Sequence, residues 1–158
     1  FFYFGEKYSK PLNANVDLQG RKKTSVKMGS YGIGVSRLVA AIIEAKFNNN
    51  IMRWPISVSP YEVAIIPMIS KNDDTNLIKS QKIYKELIKH NIDVLLDDTD
   101  ENISAKRKKF KFIGIPYQII IRQKSEGDRF EFKEIDKESQ NLSIDKVVQK
   151  LTKEKNSI

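Results

Sequence analysis

The sequence contains no cysteine and a single histidine, His90. Without thiols the chain can form neither a disulfide nor a thiolate metal site, so a reducing compartment such as the cytoplasm is the expected location. No apolar run approaches the roughly 20 residues that a membrane helix needs, and no signal peptide is visible. These absences exclude disulfide-stapled, zinc–thiolate and membrane-spanning classes, and they predict no metal site and no membrane partner.

The chain of 158 residues has 28 Lys and Arg against 20 Asp and Glu, a formal net charge of +8. Hydrophobic residues make up 40% and charged residues 30%, which is typical of a globular protein with one ordinary domain or two small ones. A basic excess favours a polyanionic partner such as nucleic acid. A general bias toward Lys, Ile and Asn would give the same excess, so charge alone leaves both interpretations open.

The hydrophobic pattern changes near Pro60. Before it we expect a β-rich segment with one helix, and after it alternating strands and helices, which is typical of a layered α/β domain with a partly parallel sheet. The expected elements are strands at 1–8, 14–18 and 24–31, a helix at 35–47, then strands at 63–66, 93–96, 117–121 and 130–135 with helices at 76–90, 103–113 and 143–153. The predicted division is a first domain over 1–50, a linker over 51–60 and a second domain over 61–158.

Two further features refine this division. The helix at 35–47 is apolar nearly all round, with Val35, Leu38 and Ile42 at helical spacing, so it is predicted to be buried. Pro55 and Pro60 mark the linker, because proline cannot continue a helix. Trp54 is expected to attach this linker to the preceding domain.

A glycine-rich segment precedes the helix at 35–47. Glycine permits close backbone approach to a ligand, and a helix start favours phosphate. Arg37, in the first helical turn, is the one cation between residues 28 and 45 and is suited to gripping phosphate or stacking on a purine. The spacing matches neither a P-loop nor a dinucleotide fingerprint. A nucleotide site and simple tight packing both remain open at this point.

An acidic stretch at 97–101 is followed by a basic one at 104–111. Acids at the start of a helix and bases further along it complement the helix dipole, which is a purely structural interpretation. The functional alternative is a loop and helix that grip RNA, with cations on phosphates and polar side chains on the base edges of a single-stranded loop.

The segment Gly32-Ile33-Gly34-Val35-Ser36-Arg37 resembles motif 3 of class II aminoacyl-tRNA synthetases, whose pattern is Gly-x-Gly-x-x-Arg. The longer string 28–38, together with Phe4-Gly5-Glu6-Lys7-Tyr8-Ser9 and Trp54-Pro55, resembles the prolyl-tRNA synthetase family in particular. Glu6 stands where that family usually has Thr, and Ser30 occupies a position that is often Cys.

This resemblance implies the end of an antiparallel-sheet catalytic domain followed by a mixed-sheet α/β anticodon-binding domain. By analogy Arg37 is catalytic and binds ATP with Gly32 and Gly34, while Gly29 and Ser30 border the amino-acid pocket. The implied reaction is attack of the proline carboxylate on the α-phosphate of ATP, with Mg²⁺, to form prolyl-adenylate, and then transfer to tRNA. Because the other motifs would lie upstream, the fragment alone is expected to be inactive and to hold no tightly bound cofactor.

The stretch 97–116 resembles the anticodon-domain pattern Asp-Asp-Arg-x-x-Arg-Pro-Gly-x-Lys, which ends in Ile-Gly-Ile-Pro. Two acids, Lys106 and residues 113–116 are retained, whereas residues 99 and 102–104 depart from the pattern. The resemblance implies contacts with proline tRNA that involve polar residues of the loop and cations of the helix. The residues assigned to tRNA binding are Asp98, Thr99, Asn102, Lys106, Arg107 and Lys109.

The sequence therefore predicts the C-terminal portion of a proline–tRNA ligase, with proline, ATP and proline tRNA as its partners. The family implies a homodimeric parent enzyme, whereas the fragment alone is expected as a monomer. The alternative is a non-catalytic, synthetase-like RNA-binding or accessory protein. Related synthetases for threonine, histidine and glycine share the architecture and also stay open. Retention of Arg37 favours an enzyme.

Overall fold

The computed structural model describes residues 1–20, 22–70, 73–122 and 129–156. The chain divides into two compact units, Phe1–Ala40 and Ala41–Ile158, and each is described separately. Within the described ranges, no helix combines the length and the apolar character that crossing a membrane requires.

The first unit contains two small antiparallel sheets, each with two strands. Its strands are β1 (Phe2–Gly5), β2 (Asn15–Leu18), β3 (Lys22–Ser25) and β4 (Met28–Ser30). Strands β2 and β3 pair antiparallel as a hairpin, and Gly20 between them has a φ of +92°. The single strand predicted at 24–31 is wrong. It is divided because β3 pairs back onto β2, whereas β4 pairs with β1.

Helix α1 (Val35–Lys46) begins at the predicted residue. The prediction that it is buried is wrong for this chain, since none of its residues is buried. Val35 is 78% exposed, and Leu38 and Val39 are about half exposed. An all-round apolar pattern indicates burial only where other elements surround the helix, and the described ranges supply no such cover.

The second unit is built on a five-stranded mixed sheet with strand order β6-β5-β7-β8-β9. Its strands are β5 (Val63–Pro67), β6 (Val94–Leu96), β7 (Tyr117–Ile121), β8 (Arg129–Glu134) and β9 (Ser139–Ser143). The three strands β6, β5 and β7 are parallel, and β8 and then β9 extend the sheet beyond β7 by antiparallel pairing. The predicted α/β class with a partly parallel sheet is confirmed, whereas β9 was not expected.

Three helices cover the sheet: α2 (Thr75–Lys89), α3 (Ile103–Ile113) and α4 (Ile144–Lys155). Alternate residues of a strand face opposite sides, so β5 contributes to two cores. Val63 and Ile65 pack with α2 and α4, and Ala64 and Ile66 pack against Phe110 of α3. Because all five residues of β5 are buried, the strand reads as a continuous apolar run.

On the face occupied by α3, the neighbouring strand β8 is only partly covered. Phe130 and Phe132 of β8 join the core beneath α2 and α4. Glu131 and Lys133 alternate with them, so they lie on the opposite face, where they are half-buried. The sheet therefore presents polar side chains next to α3.

The segment 51–60, predicted as a linker, belongs to the second unit and packs against the rest of it. Met52 and Ile56 are buried, and Ile56 belongs to the core beneath α2 and α4. The backbone N–H of Trp54 donates to the carbonyl of Gly114 at 3.1 Å, and its indole Nε1 donates to that of Ile113 at 3.0 Å. Trp54 was expected to attach to the preceding domain. The structure instead bonds it to the end of α3, where the last carbonyls of the helix need donors.

Arg53 lies at the centre of an ionic cluster in the second unit. Its Nη2 is 2.7 Å from Glu134 Oε1, and its guanidinium also approaches Asp136 at 3.4 Å and Glu154 at 3.6 Å. The Tyr117 hydroxyl donates to Glu154. Burial opposes ionisation of Glu134, but bonds and charges from Lys137 and Arg53 outweigh it and hold the pKa of this carboxyl below its usual range.

Replacing Arg53 with methionine should destabilise the second unit by about 1–2 kcal/mol, because a nearly buried Glu134 then keeps fewer cationic partners. A carboxyl whose pKa is lower in the folded state stabilises the fold above its unfolded pKa of about 4.3. This contribution is lost as the pH falls through the folded value. In the variant the Glu134 pKa rises, so acid unfolding should begin at a higher pH. Urea titrations between pH 3 and 7 measure both effects.

Lys150 provides the matched control, because its Nζ lies 3.8 Å from Glu134 Oε2 and its side chain is 36% exposed. Lys150→Met should cost less than about 0.5 kcal/mol, as is usual for exposed pairs. If Arg53→Met and Lys150→Met lowered the free energy of unfolding by equal amounts, Arg53 would not be central to the cluster.

Candidate nucleic-acid interface

The start of α3 is fixed by a side-chain cap. Asn102 has an extended backbone, and its Oδ1 accepts a hydrogen bond from the backbone N–H of Ala105 at 2.9 Å. This bond satisfies one of the donors left open at a helix start. The acidic loop before the helix is therefore joined to it in one defined orientation.

One face of α3 carries cations at helical spacing. Ser104, Arg107, Lys108 and Lys111 recur at intervals of three and four residues, so they line one side of the helix. They face the uncovered part of the sheet across an open groove, which we call the α3–β8 groove. Its lining is Ser104, Arg107, Lys108, Lys111, Gln118, Lys133 and Ile135. Four cations on one concave surface suit a phosphate backbone.

Glu131 orients two arginines beside this groove. Its Oε2 lies 3.0 Å from Arg122 Nε, and its Oε1 lies 3.9 Å from Arg107 Nη1. The Glu131 carboxylate lies between the two guanidinium groups and fixes the orientation of both, but it does not neutralise the surrounding lysines. The edge of the groove keeps a net positive charge.

A second depression, the strand-end pocket, adjoins the groove at Ser104. It lies beside the carboxyl ends of the parallel strands β5 and β7, the edge at which open α/β sheets usually bind ligands. Its lining is Met68, Ile69, Asp100, Glu101, Asn102, Ile103, Ser104 and Arg122. Apolar, amide and guanidinium groups together suit a flat unpaired base.

Lys106 does not line either surface, because its side chain is fully buried. Its Nζ donates to three carbonyl oxygens, those of Pro67 at 3.3 Å, Asp97 at 3.1 Å and Thr99 at 2.6 Å. Three donated bonds require all three N–H groups of an ammonium, so we assign Lys106 as protonated. Burial lowers the pKa of Lys106, and the Asp97 carboxylate 3.7 Å away opposes that shift.

Asp97 is the acidic partner within this cluster. Burial opposes its ionisation, but hydrogen bonds from Lys109 and Thr99 and the charge of Lys106 hold the pKa of its carboxyl below the usual range. Lys109 Nζ lies 2.8 Å from Asp97 Oδ2 and 3.0 Å from Glu101 Oε2. Both cations are therefore engaged with the loop that precedes α3.

The three cations that the sequence assigned to tRNA binding lie in different places in the structure. Arg107 lines the α3–β8 groove. Lys106 is enclosed and cannot reach a phosphate, so its assignment to tRNA contact is withdrawn in favour of a structural one. Lys109 lies away from the groove and is already paired with two carboxylates.

The three polar loop residues that the sequence assigned to tRNA binding also differ from one another in exposure and in hydrogen bonding. Asp98 is exposed at the tip of the loop. Thr99 turns inward, with its N–H and Oγ1 donating to Asp97 Oδ1 at 3.1 and 2.5 Å. Asn102 uses its oxygen as the helix cap but lines the strand-end pocket.

Several residues in or beside the α3–β8 groove were not among those assigned to tRNA binding from the sequence. They are Lys108, Lys111, Gln118, Lys133, Arg122 and Glu131. The helical interval that joins Arg107 and Lys108 to Lys111 is a signal that finds two of them. The residues of β7 and β8 carry no such signal, because only the folded sheet brings them next to α3.

The glycine-rich segment belongs to the first unit. Gly29 and Ser30 lie in β4, opposite Tyr3 and Phe2 of β1. A Cβ placed on Gly29 would come within 2.6 Å of the Phe1 ring, so a side chain there would displace that ring. Glycine at this position serves close packing.

Gly32 and Gly34 lie between β4 and α1, and Arg37 follows in the first turn of the helix. All three are exposed. Neither glycine has a positive φ, and a Cβ on Gly32 would meet no atom within 4 Å. The segment thus presents an open backbone surface next to a helix start and a guanidinium.

The residues that the structure describes contain no group of three His, Asp or Glu side chains able to hold a metal ion.

Comparison with known proteins gives a consistent family. Residues 62–154 match the family model described as anticodon binding domain. A proline–tRNA ligase of Pelagibacter ubique is 60% identical over 156 residues, which is 98% of this chain and 35% of that protein. One of Wolbachia from Brugia malayi is 47% identical over 124 residues, covering 78% of this chain and 28% of that protein.

The chain spans about a third of the length of these relatives. The family match covers the described sheet and helices of the second unit from β5 to nearly the end of α4. The predicted resemblance to prolyl-tRNA synthetases is confirmed over almost the whole chain. The chain belongs to the anticodon-binding-domain family and is homologous to proline–tRNA ligases.

Proposed function

We propose that this chain is the C-terminal segment of a cytoplasmic proline–tRNA ligase and that its second unit binds the anticodon arm of proline tRNA. The observation that carries the proposal is the α3–β8 groove, in which Arg107, Lys108, Lys111 and Lys133 line one surface of an anticodon-binding domain. The identity over 98% of the chain favours the ligase over a non-catalytic accessory protein.

Phosphates of the arm lie along the groove cations in this proposal, and Glu131 keeps Arg107 and Arg122 in place. Unpaired bases reach the strand-end pocket, where Asp98 stands at the rim of the loop and the Asn102 amide is available. Phosphate contacts fix register, whereas polar contacts with base edges give specificity. Lys106 and Lys109 take no part in phosphate binding.

The first unit contributes one wall of the activation site in the parent enzyme. Arg37 holds the phosphates of ATP beside Gly32 and Gly34, and Gly29 and Ser30 border the proline pocket. The proline carboxylate attacks the α-phosphate, pyrophosphate leaves, and the prolyl group passes from the adenylate to the tRNA terminus. Charge stabilisation around the phosphates is the part supplied by this chain. The parent enzyme acts as a homodimer, and the isolated chain is monomeric.

A charge-removal experiment tests the groove. Lys108→Gln with Lys111→Gln should lower the salt slope of binding to the proline anticodon arm by about 1.4, since each lost phosphate contact removes about 0.7 from it. Affinity at 0.1 M salt should fall by roughly 20-fold, because the same counterions are no longer released. Anisotropy titrations with a labelled arm at several salt concentrations measure both quantities.

The matched control removes two exposed lysines from α4, at Lys146 and Lys153. This pair changes the net charge equally but lies outside the groove, so the slope should change by less than about 0.3. Equal slopes for both double variants would contradict binding in the groove.

A further inference from the structure

The loop between β6 and α3 is held by an internal cation rather than by its own backbone bonds. The carbonyls of Asp97 and Thr99 point at Lys106 Nζ, at 3.1 and 2.6 Å. Within the described ranges, the backbone N–H of Asp97 donates to Ile65 of β5 at 3.0 Å, which ties the start of the loop to the sheet. The rest of its fixed geometry depends on side chains.

Lys106 also reaches the carbonyl of Pro67, the last residue of β5, at 3.3 Å. One ammonium therefore joins three parts of the fold: helix α3, the end of β5 and the loop that lines the strand-end pocket. A fully buried ammonium is costly unless every N–H has an acceptor, and here each has one. Its cost and its connectivity together indicate a role beyond filling space.

We propose that Lys106 is a positioning residue for RNA recognition, which holds the loop 97–102 in the orientation that presents Asp98, Asp100 and Asn102 to unpaired bases. This inference rests on the proposed function of the second unit. Lys106 touches no RNA itself. It lowers the entropic cost of recognition, because the loop is ordered before the bases arrive.

The arrangement around Lys106 explains why a lysine serves here. Methionine has nearly the same length, but it would leave three carbonyls without a donor. The Asp97 and Thr99 carbonyls belong to the loop, whose residues 98–100 are exposed, so a loosened loop can turn these two carbonyls toward water, whereas the Pro67 carbonyl stays buried at the end of β5. The sheet and α3 keep their apolar contacts through Phe110. We expect a folded protein with a loosened loop.

The test compares the full chain with Lys106→Met in binding two RNAs: the proline anticodon arm, and the same arm with its three anticodon bases replaced. For the proline arm, affinity should fall by about tenfold as preorganisation is lost. For the replaced arm it should change by less than about twofold, because phosphate contacts remain. The salt slope should stay unchanged, whereas a direct phosphate contact would lower it by about 0.7.

Two further measurements separate positioning from general damage. Hydrogen exchange of the amides at 98–102 should accelerate by about tenfold or more, while that of β5 and β7 stays slow. Lys109→Met provides the matched control. It removes the next cation that binds the same loop, but Lys109 binds that loop through the carboxylates of Asp97 and Glu101 and, in the described part of the chain, through no loop carbonyl. Its preference between the two arms should stay near that of the wild type.

If Lys106→Met does not fold, Lys106→Gln replaces it, since a glutamine amide can still donate to two carbonyls. Equal losses for both arms, a lowered salt slope, or unfolding of both variants would each overturn the positioning role. A wild-type chain that binds the two arms equally would instead refute the proposed anticodon recognition itself.

Discussion

Replacing Arg37 with alanine in the full-length ligase should lower proline-dependent pyrophosphate–ATP exchange by about 30- to 1,000-fold. This range corresponds to the roughly 2–4 kcal/mol that a lost charge-assisted contact in a transition state costs. Arg37 is exposed in the first turn of α1 and makes no ion pair among the residues described in the structure. The variant should therefore lose rate in adenylate formation, whereas its affinity for tRNA should stay within about twofold of the wild type.

Arg37→Lys should restore only part of the exchange rate, because an ammonium lacks the planar fork that grips two phosphate oxygens. Lys46→Ala, at the far end of the same helix, is the control for a lost surface charge and should leave exchange nearly unchanged. An Arg37→Ala enzyme within threefold of the wild-type rate would remove Arg37 from the ATP site. The isolated 158-residue chain should show no exchange above background.

The second unit could be predicted from sequence because its strands carry strong local signals. Residues 63–66 form a short apolar run, residues 117–121 are apolar apart from Gln118, and the structure buries every residue of β5 and β7. The helix predicted at 103–113 is confirmed at both ends, where the structure shows Asn102 as the cap of its first turn and Gly114 at its close. Local chemistry and tertiary burial agree at these positions, which is the condition under which pattern reasoning succeeds.

The edge strand β9 escaped prediction because it carries no such signal. The strand β9 reads Ser-Gln-Asn-Leu-Ser and is mostly exposed, so neither alternation nor apolar content marks it. It exists because β8 offers an open edge with which it can pair. In the first unit, the break between β3 and β4 likewise depends on pairing partners that lie far apart in the sequence.

The candidate site shows a different limit. Five of the eight residues from 104 to 111 are cations, and composition cannot distinguish those that face solvent from one that is buried. The register of α3 contains that information, since Lys106 precedes Phe110 by four residues and so shares its buried face. Nothing local, however, indicates that three carbonyls converge on Lys106. Such convergence depends on how β5 and β6 end, which only the assembled sheet determines.

The largest stability loss is expected at Gly114. This residue ends α3 with a φ of +86°, and its N–H and that of Ile115 both donate to the Phe110 carbonyl. A Cβ at this position would lie 2.9 Å from Met52 Cγ and 3.0 Å from the Met52 carbonyl oxygen. Gly114→Ala adds about 1–2 kcal/mol of left-handed backbone strain to about 1–3 kcal/mol of overpacking. We expect a loss near 3 kcal/mol and a fall in Tm of roughly 10–20 °C.

A comparison with Gly114→Asn separates these two causes. Asparagine tolerates left-handed backbone better than alanine, so it should recover about 0.5–1 kcal/mol if strain dominates. It carries the same Cβ, so it recovers nothing if the contact with Met52 dominates. The backbone of Met52 cannot retreat freely, since the adjoining Trp54 is bonded to Gly114 and to Ile113. We therefore expect both variants to lose most of the 3 kcal/mol, measured by urea unfolding of the second unit. A Gly114→Ala loss below about 1 kcal/mol would mean that the segment 51–60 is not packed against α3 as described.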